Sequence, residues 1–183
     1  MYTGIVKNID DHRLEIWVKG AQEGDSEAFR HIFDLLSDQL FTYALSHTKS
    51  RDEATDLVQE TFIDLWKALQ KFTYKSKSQF YGFVYIILKR KLYKIFRRTL
   101  SSVELEETQI ADSYEIKIED YRYLEKKLHK LPERYQELLR LRYWSELSFS
   151  EIAACLNTNE STAKVWHHRA LKVLNEQLQN SDY

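Results

Sequence analysis

Apolar residues recur at spacings of three and four along most of the chain, the period of one face of an α-helix. Leu14, Ile16, Trp17, Val18 and Ala21 predict a short first helix ending near Gly24-Asp25, preceded by an arm, residues 1–12, with no clear period. Asp25 is placed to cap a second helix with the stripe Ala28, Phe29, Ile32, Phe33, Leu36, Leu40, Tyr43 and Ala44. Ser50-Arg51-Asp52-Glu53 has capping-box spacing and opens a third helix to about residue 69, its inner stripe Leu57, Val58, Thr61, Phe62, Leu65, Trp66 and Leu69. The period lapses over residues 71–78. It returns, behind a cap from Ser76 or Ser78, with Phe80, Phe83, Val84, Ile87, Leu88, Leu92, Ile95 and Phe96.

After another lapse over residues 99–120, Tyr121, Leu124, Leu128 and Leu131 restart the pattern. Pro132 is expected in the first turn of the next helix, where its missing amide costs nothing, with Tyr135, Leu138, Leu139 and Tyr143 as the buried side. Ser148-Phe149-Ser150-Glu151 is a second capping box, ahead of a short helix with Ile152, Ala153 and Leu156. Asn157 suits the left-handed conformation that ends a helix, and Asn159 can cap the last one, to about residue 178.

The pattern predicts an all-α protein of two small helical domains. Residues 13–99 form the first and residues 120–179 the second, with residues 100–119 as a linker. Four Gly and one Pro in 183 residues agree with helices throughout. One cysteine, Cys155, excludes an internal disulfide and a thiolate zinc site. No secretory signal is visible, and the longest uncharged apolar run, residues 79–88, is about half a membrane span, so the expectation is a cytoplasmic protein without membrane contact.

Charge changes the picture by its arrangement, because the formal net charge is only −1. Residues 52–64 carry five acids and no base. Residues 65–103 carry ten Lys or Arg and no acid, with aromatics threaded among them. Basic surface interleaved with aromatics suits phosphates and unstacked bases of single-stranded nucleic acid. Phe80, Phe83 and Phe96 lie on the apolar stripe and are expected in the core. Tyr74, Tyr81 and Tyr85 are freer to stack on bases. The acidic face, which nucleic acid would repel, is expected to meet a protein, and Ile63 is an apolar residue on it. A solvated surface is the plainer reading of either face. The linker region 99–120 has seven acids against one lysine and is expected to be extended by repulsion.

Residues 147–174 have helix-turn-helix spacing, with a short helix, a four-residue connection and a longer second helix. Ala163, Trp166 or His167, Ala170 and Leu174 would pack inward. Ser161, Thr162, Lys164, Val165, His168 and Arg169 remain for DNA: Lys164 and Arg169 for phosphates or guanine edges, Val165 for a thymine methyl. An ordinary helical hairpin is the plainer alternative. Catalytic patterns are lacking. His167 and His168 point about 100° apart on a helix and cannot chelate one metal as an i, i+4 pair would. No cofactor is expected, and an enzyme is disfavoured.

The run DEATDLVQETFIDLWKAL, residues 52–69, resembles the second conserved region of bacterial RNA polymerase sigma factors. Gly24-Asp25-Ser26-Glu27-Ala28-Phe29 resembles the start of that region, and Leu131-Pro132-Glu133-Arg134 with residues 147–174 resembles the fourth. The chain is most similar to the extracytoplasmic-function class, which keeps only these two regions. The resemblance implies that Asp56, Gln59, Glu60 and Asp64 dock on core RNA polymerase. It implies that the basic loop and following helix melt and hold the minus-ten element, through Lys71, Tyr74, Lys75, Lys77, Tyr81, Tyr85, Lys89, Arg90 and Lys94. The minus-thirty-five element falls to Ser161, Thr162, Lys164, Val165, His168 and Arg169, and the linker would thread the RNA exit path. The implied partners are core polymerase and promoter DNA, duplex and melted, with an anti-sigma factor as a further partner the class admits. Departures from the family pattern are Phe83 for Trp, Arg90 and Lys94 for Asn and Asp, Trp166 and His167 for Arg and Leu, and Asn157 for Gly. The rival readings are a helix-turn-helix regulator that is not a sigma subunit, which would bind duplex DNA alone, and a protein-interaction adaptor with no salt-dependent affinity for nucleic acid.

Overall fold

The computed structural model describes residues 9–102 and 126–179, without the side chains of residues 96 and 98–102. Most of the expected arm, residues 103–119 of the expected linker, and Tyr121 and Leu124 lie outside the described residues. Every regular element among the described residues is an α-helix: α1 (Asp11–Gln22), α2 (Ser26–Leu45), α3 (Arg51–Leu69), α4 (Lys77–Ser102), α5 (Glu133–Tyr143), α6 (Phe149–Cys155) and α7 (Glu160–Gln179). None is long and apolar enough to cross a membrane.

The helix starts follow local chemistry. Asp25 accepts from the amides of Glu27 and Ala28, and Ser50 from that of Glu53. Glu53 reaches back one residue further than a capping box requires, to the amide of Lys49. The second box closes fully, with Ser148 and Glu151 each accepting from the other's amide. Ser76 caps α4, so Lys77, expected in the loop, is the first helical residue. Asn159 accepts from the Thr162 amide. Asn157 has φ 51°, and the Thr158 amide donates to the Ala153 carbonyl at 2.9 Å, which ends α6 in a Schellman turn. Pro132 stands at the cap of α5, one position before the first turn. Two further boundaries differ from expectation. Asp10 caps α1 from Asp11, and α4 runs on to Ser102.

Helices α1 to α4 pack in succession, α1 on α2, α2 on α3 and α3 on α4, around Leu14, Ile32, Leu36, Leu40, Leu65, Leu69 and Leu88. Helix α7 lies across α5 and α6 around Leu138, Ile152, Ala163 and Ala170. Tyr143, expected on the buried side of α5, is 55% exposed. It is the last residue of α5, and His167 of α7 meets it at its hydroxyl, 3.1 Å away, while the rest of the ring stays largely open.

The two groups of helices meet. The most extensive helix–helix contact is α4 against α6, where a Cβ on Gly82 would stand 3.1 Å from the backbone and side chain of Ala154. Alongside, α2 meets α5. Arg140 donates to the Ser46 carbonyl at 2.8 Å, Thr42 to that of Trp144, and Ser145 to that of Gln39 at 3.3 Å. At the centre lies the Glu137 carboxylate, 2.6 Å from Lys89 Nζ and accepting from the Tyr43 hydroxyl. Burial works against its charge, but Lys89 and Tyr43 outweigh that and lower its pKa.

His47 stands beside this carboxylate, its Nε2 3.7 Å away. Burial lowers its pKa from 6.5 to about 4, helped by Arg140 and Lys89 and opposed by Glu137. A neutral folded-state histidine means that, between pH 6.5 and 4, the unfolded chain binds a proton that the folded chain does not. Stability is therefore expected to fall as pH drops through that window, by roughly 3 kcal/mol at most. Urea unfolding at a series of pH values measures it. His47→Gln should flatten the slope, and an unchanged slope would remove His47 from the account.

Candidate nucleic-acid interface

The outward face of α3 is acidic, as its spacing predicts. Asp52, Glu53, Asp56, Gln59 and Glu60 are exposed and Asp64 is half-buried. Residues three and four apart share a helix face, so Asp56, Gln59, Glu60, Ile63 and Lys67 form one strip beside Asp64. The strip is not purely acidic in three dimensions. Lys91 of α4 lies 2.7 Å from Asp64 and 3.2 Å from Glu60. Burial opposes its charge, but hydrogen bonds to Asp64 and Glu60 outweigh that and raise its pKa.

The residues expected at the minus-ten element separate into two groups. Lys71 and Lys75 are exposed in the loop before α4, and Arg90 and Lys94 are exposed on α4. The loop is tied down from both sides. Gln22 of α1 donates to the carbonyls of Leu69 and Phe72, at 2.8 and 2.6 Å. Tyr74 donates its hydroxyl to Asp11, whose carboxylate also accepts the Lys77 amide. Tyr74 is half-buried and packs edge-on against Phe72.

The second group is Lys77, Tyr81, Tyr85 and Lys89. Their spacing of four places them on one stripe of α4, and that stripe faces α6 and α5. Tyr81 is 1% exposed and Tyr85 is fully buried, edge-on to Tyr43 at 5.3 Å. The expectation that these two tyrosines are free to stack on bases is therefore corrected: α6 covers them. Lys77 pairs with Glu151 of α6 at 3.2 Å. Lys89 pairs with Glu137 and also reaches the Cys155 carbonyl at 3.4 Å.

Other aromatics reach the surface instead. Phe83, expected in the core, is half-buried and stacks on Phe72 with ring centroids 4.4 Å apart. Tyr93 is 66% exposed, on the same face as Ile86, Arg90 and Lys94. Sequence reasoning did not assign Tyr93 a site role, although its spacing from Ile86 and Arg90 places all three on one helix face.

On α7, Ser161, Lys164, Val165, His168 and Arg169 are exposed and Thr162 is half-buried. Lys164 pairs with Glu160 one turn earlier, at 2.7 Å, on the open surface. Ala163 and Ala170 are buried, and Trp166 and Leu174 are half-buried against the core. His167 is half-buried, 3.1 Å from the Tyr143 hydroxyl and edge-on to Phe149. Burial lowers its pKa, with Arg142 and His168 adding to the effect. Helix α6, the Asn157 turn and α7 thus form a helix-turn-helix whose longer helix has one packed and one open side.

Family comparison agrees with both halves. Residues 32–101 match the model of Sigma-70 region 2, and residues 121–174 that of Sigma-70, region 4. The RNA polymerase sigma factor SigV of Bacillus subtilis is 30% identical over 145 residues, 78% of this chain and 86% of that one. The ECF RNA polymerase sigma factor SigW of the same organism is 25% identical over 180 residues, 89% of this chain and 95% of that one. Among solved structures, the sigma factor RpoE in complex with the anti-sigma factor NepR from Bartonella quintana is 25% identical and superposes with a TM-score of 0.62, over 85% of this chain and 98% of that one. With a region 2 match on the bundle, a region 4 match on the helix-turn-helix and near full-length relatives of one kind, the chain belongs to the RNA polymerase sigma factors, in the extracytoplasmic-function class.

Proposed function

We propose that this sigma factor works through three surfaces, acting in the cytoplasm and catalysing no reaction of its own. The acidic strip of α3, Asp56, Gln59, Glu60 and Asp64, docks on core RNA polymerase. The basic loop and α4 hold the opened minus-ten strand. The open face of α7 reads the minus-thirty-five duplex. The observation that carries this reading is the juxtaposition of an exposed acidic face on α3 with exposed Lys71, Lys75, Arg90 and Lys94 on the loop and helix that follow. One face would repel DNA, and the other attracts it.

Melting needs compensation, because taking a base out of the stack costs a few kcal/mol. Stacking on an aromatic contributes on the order of 1–3 kcal/mol per base, and phosphate contacts add a salt-dependent term. Exposed Tyr93 and the half-buried Phe72–Phe83 pair are the rings best placed to supply stacking in the arrangement described. An anti-sigma factor is also a fitting partner, since the related Bartonella sigma factor is bound by one.

Two expected outcomes test the assignments. Asp56→Lys with Glu60→Lys should lower retention of the chain by immobilised core polymerase at least tenfold while its circular dichroism stays unchanged. Unaltered retention would exclude the α3 strip as the docking face. Lys164→Ala with Arg169→Ala should reduce promoter-specific transcription at least tenfold, from about 1–3 kcal/mol per lost base contact, with core binding intact. If promoter choice and yield are unaffected in run-off transcription, α7 does not read the promoter.

A further inference from the structure

Tyr143 is a large side chain left 55% exposed at the end of α5, yet its hydroxyl is held. His167 Nε2 of α7 stands 3.1 Å from it, and the two rings lie 5.9 Å apart, tilted by 30°. His167 is itself fixed by α6, where the Phe149 ring meets it edge-on at 5.2 Å. The Arg142 guanidinium lies over Phe149 at 5.0 Å and donates to the Leu147 carbonyl at 2.7 Å. Side chains of three helices thus aim one surface hydroxyl.

The place of the pair gives it a use. Lys164 lies one turn before His167 and His168 follows it, both exposed on the open side of α7. His167 therefore stands at the margin between the packed and open sides, and Tyr143 continues the open side onto α5. A helix lying in the major groove has backbone phosphates along its flanks, and tyrosine hydroxyls are among the groups that contact them. A phosphate oxygen only accepts, so a hydroxyl facing one must donate, and its own oxygen is then free to accept from an N–H. Burial, with Arg142 and His168, lowers the His167 pKa and favours the neutral ring, which carries a single N–H.

We propose that Tyr143 is a phosphate contact of the minus-thirty-five duplex, its hydroxyl donating to a backbone oxygen at the flank of α7 while the His167 Nε2–H donates to the tyrosine oxygen. Tyr143 touches the DNA, and His167 is its positioning residue. This rests on the reading of α7 as the duplex-reading helix.

The test measures binding of the chain, assembled with core polymerase, to a promoter duplex that it serves. Tyr143→Phe removes one oxygen and should weaken binding about tenfold, the scale of a hydrogen bond to a charged acceptor, with retention by core polymerase and thermal unfolding unchanged. Wild-type affinity overturns the proposal. His167→Leu keeps an apolar contact with Phe149 but cannot hold the hydroxyl. It should also weaken binding, and combined with Tyr143→Phe it should add nothing; additive losses overturn the positioning role. A phosphate contact carries no sequence information, so Tyr143→Phe should cost the same factor on a duplex with minus-thirty-five base pairs exchanged. A loss confined to the original sequence overturns the phosphate assignment. Lys164→Ala with Arg169→Ala separates this proposal from the reading beneath it. If that variant loses binding while Tyr143→Phe does not, only the tyrosine contact falls. If neither loses binding, both fall.

Discussion

A missing side chain at Gly82 lets the backbone of α6 settle directly on α4. Much of the arrangement between the N-terminal and C-terminal helices depends on that close approach. It brings Glu151 to Lys77 and, through α5, Glu137 to Lys89, and it closes Tyr81 and Tyr85 from water. The two carboxylates are largely withdrawn from water and the two ammonium groups partly so, each with an opposite partner in reach. The contact is thus specific in charge but modest in net strength.

The helix starts were legible because capping is local. Asp25, Ser50, Ser76, Ser148 and Asn159 each accept amides two or three residues ahead, a relation written in consecutive residues. The inner stripe of α3 was legible for the same reason, since that helix has one packed side and one open one. Helix α4 was harder. It is covered by α3 on one side and by α6 on another, so a single apolar period could not show that Tyr81 and Tyr85 belong to a second buried stripe.

Ion pairing was the other blind spot. Residues 65–103 contain no acid, yet Lys77, Lys89 and Lys91 are all paired, with Glu151, Glu137, and Glu60 together with Asp64. A charge window along the chain sees none of these partners, which lie tens of residues away. Lys67, Lys71, Lys75, Arg90, Lys94 and Arg97 are the members of the basic block that stay exposed among the described residues. On α7 the exposed set follows the pattern closely, because a helix packed on one side sorts its residues by period alone.

Asp11 sits at the very start of α1, just ahead of where the apolar period begins, and its carboxylate holds both Tyr74 and the first amide of α4. The tie spans 63 residues of chain. Any fragment trimmed to begin at residue 13 discards this tether together with the Asp10 cap. The loop before α4 would then be looser than in the intact chain, so truncated pieces are poor stand-ins for its conformation.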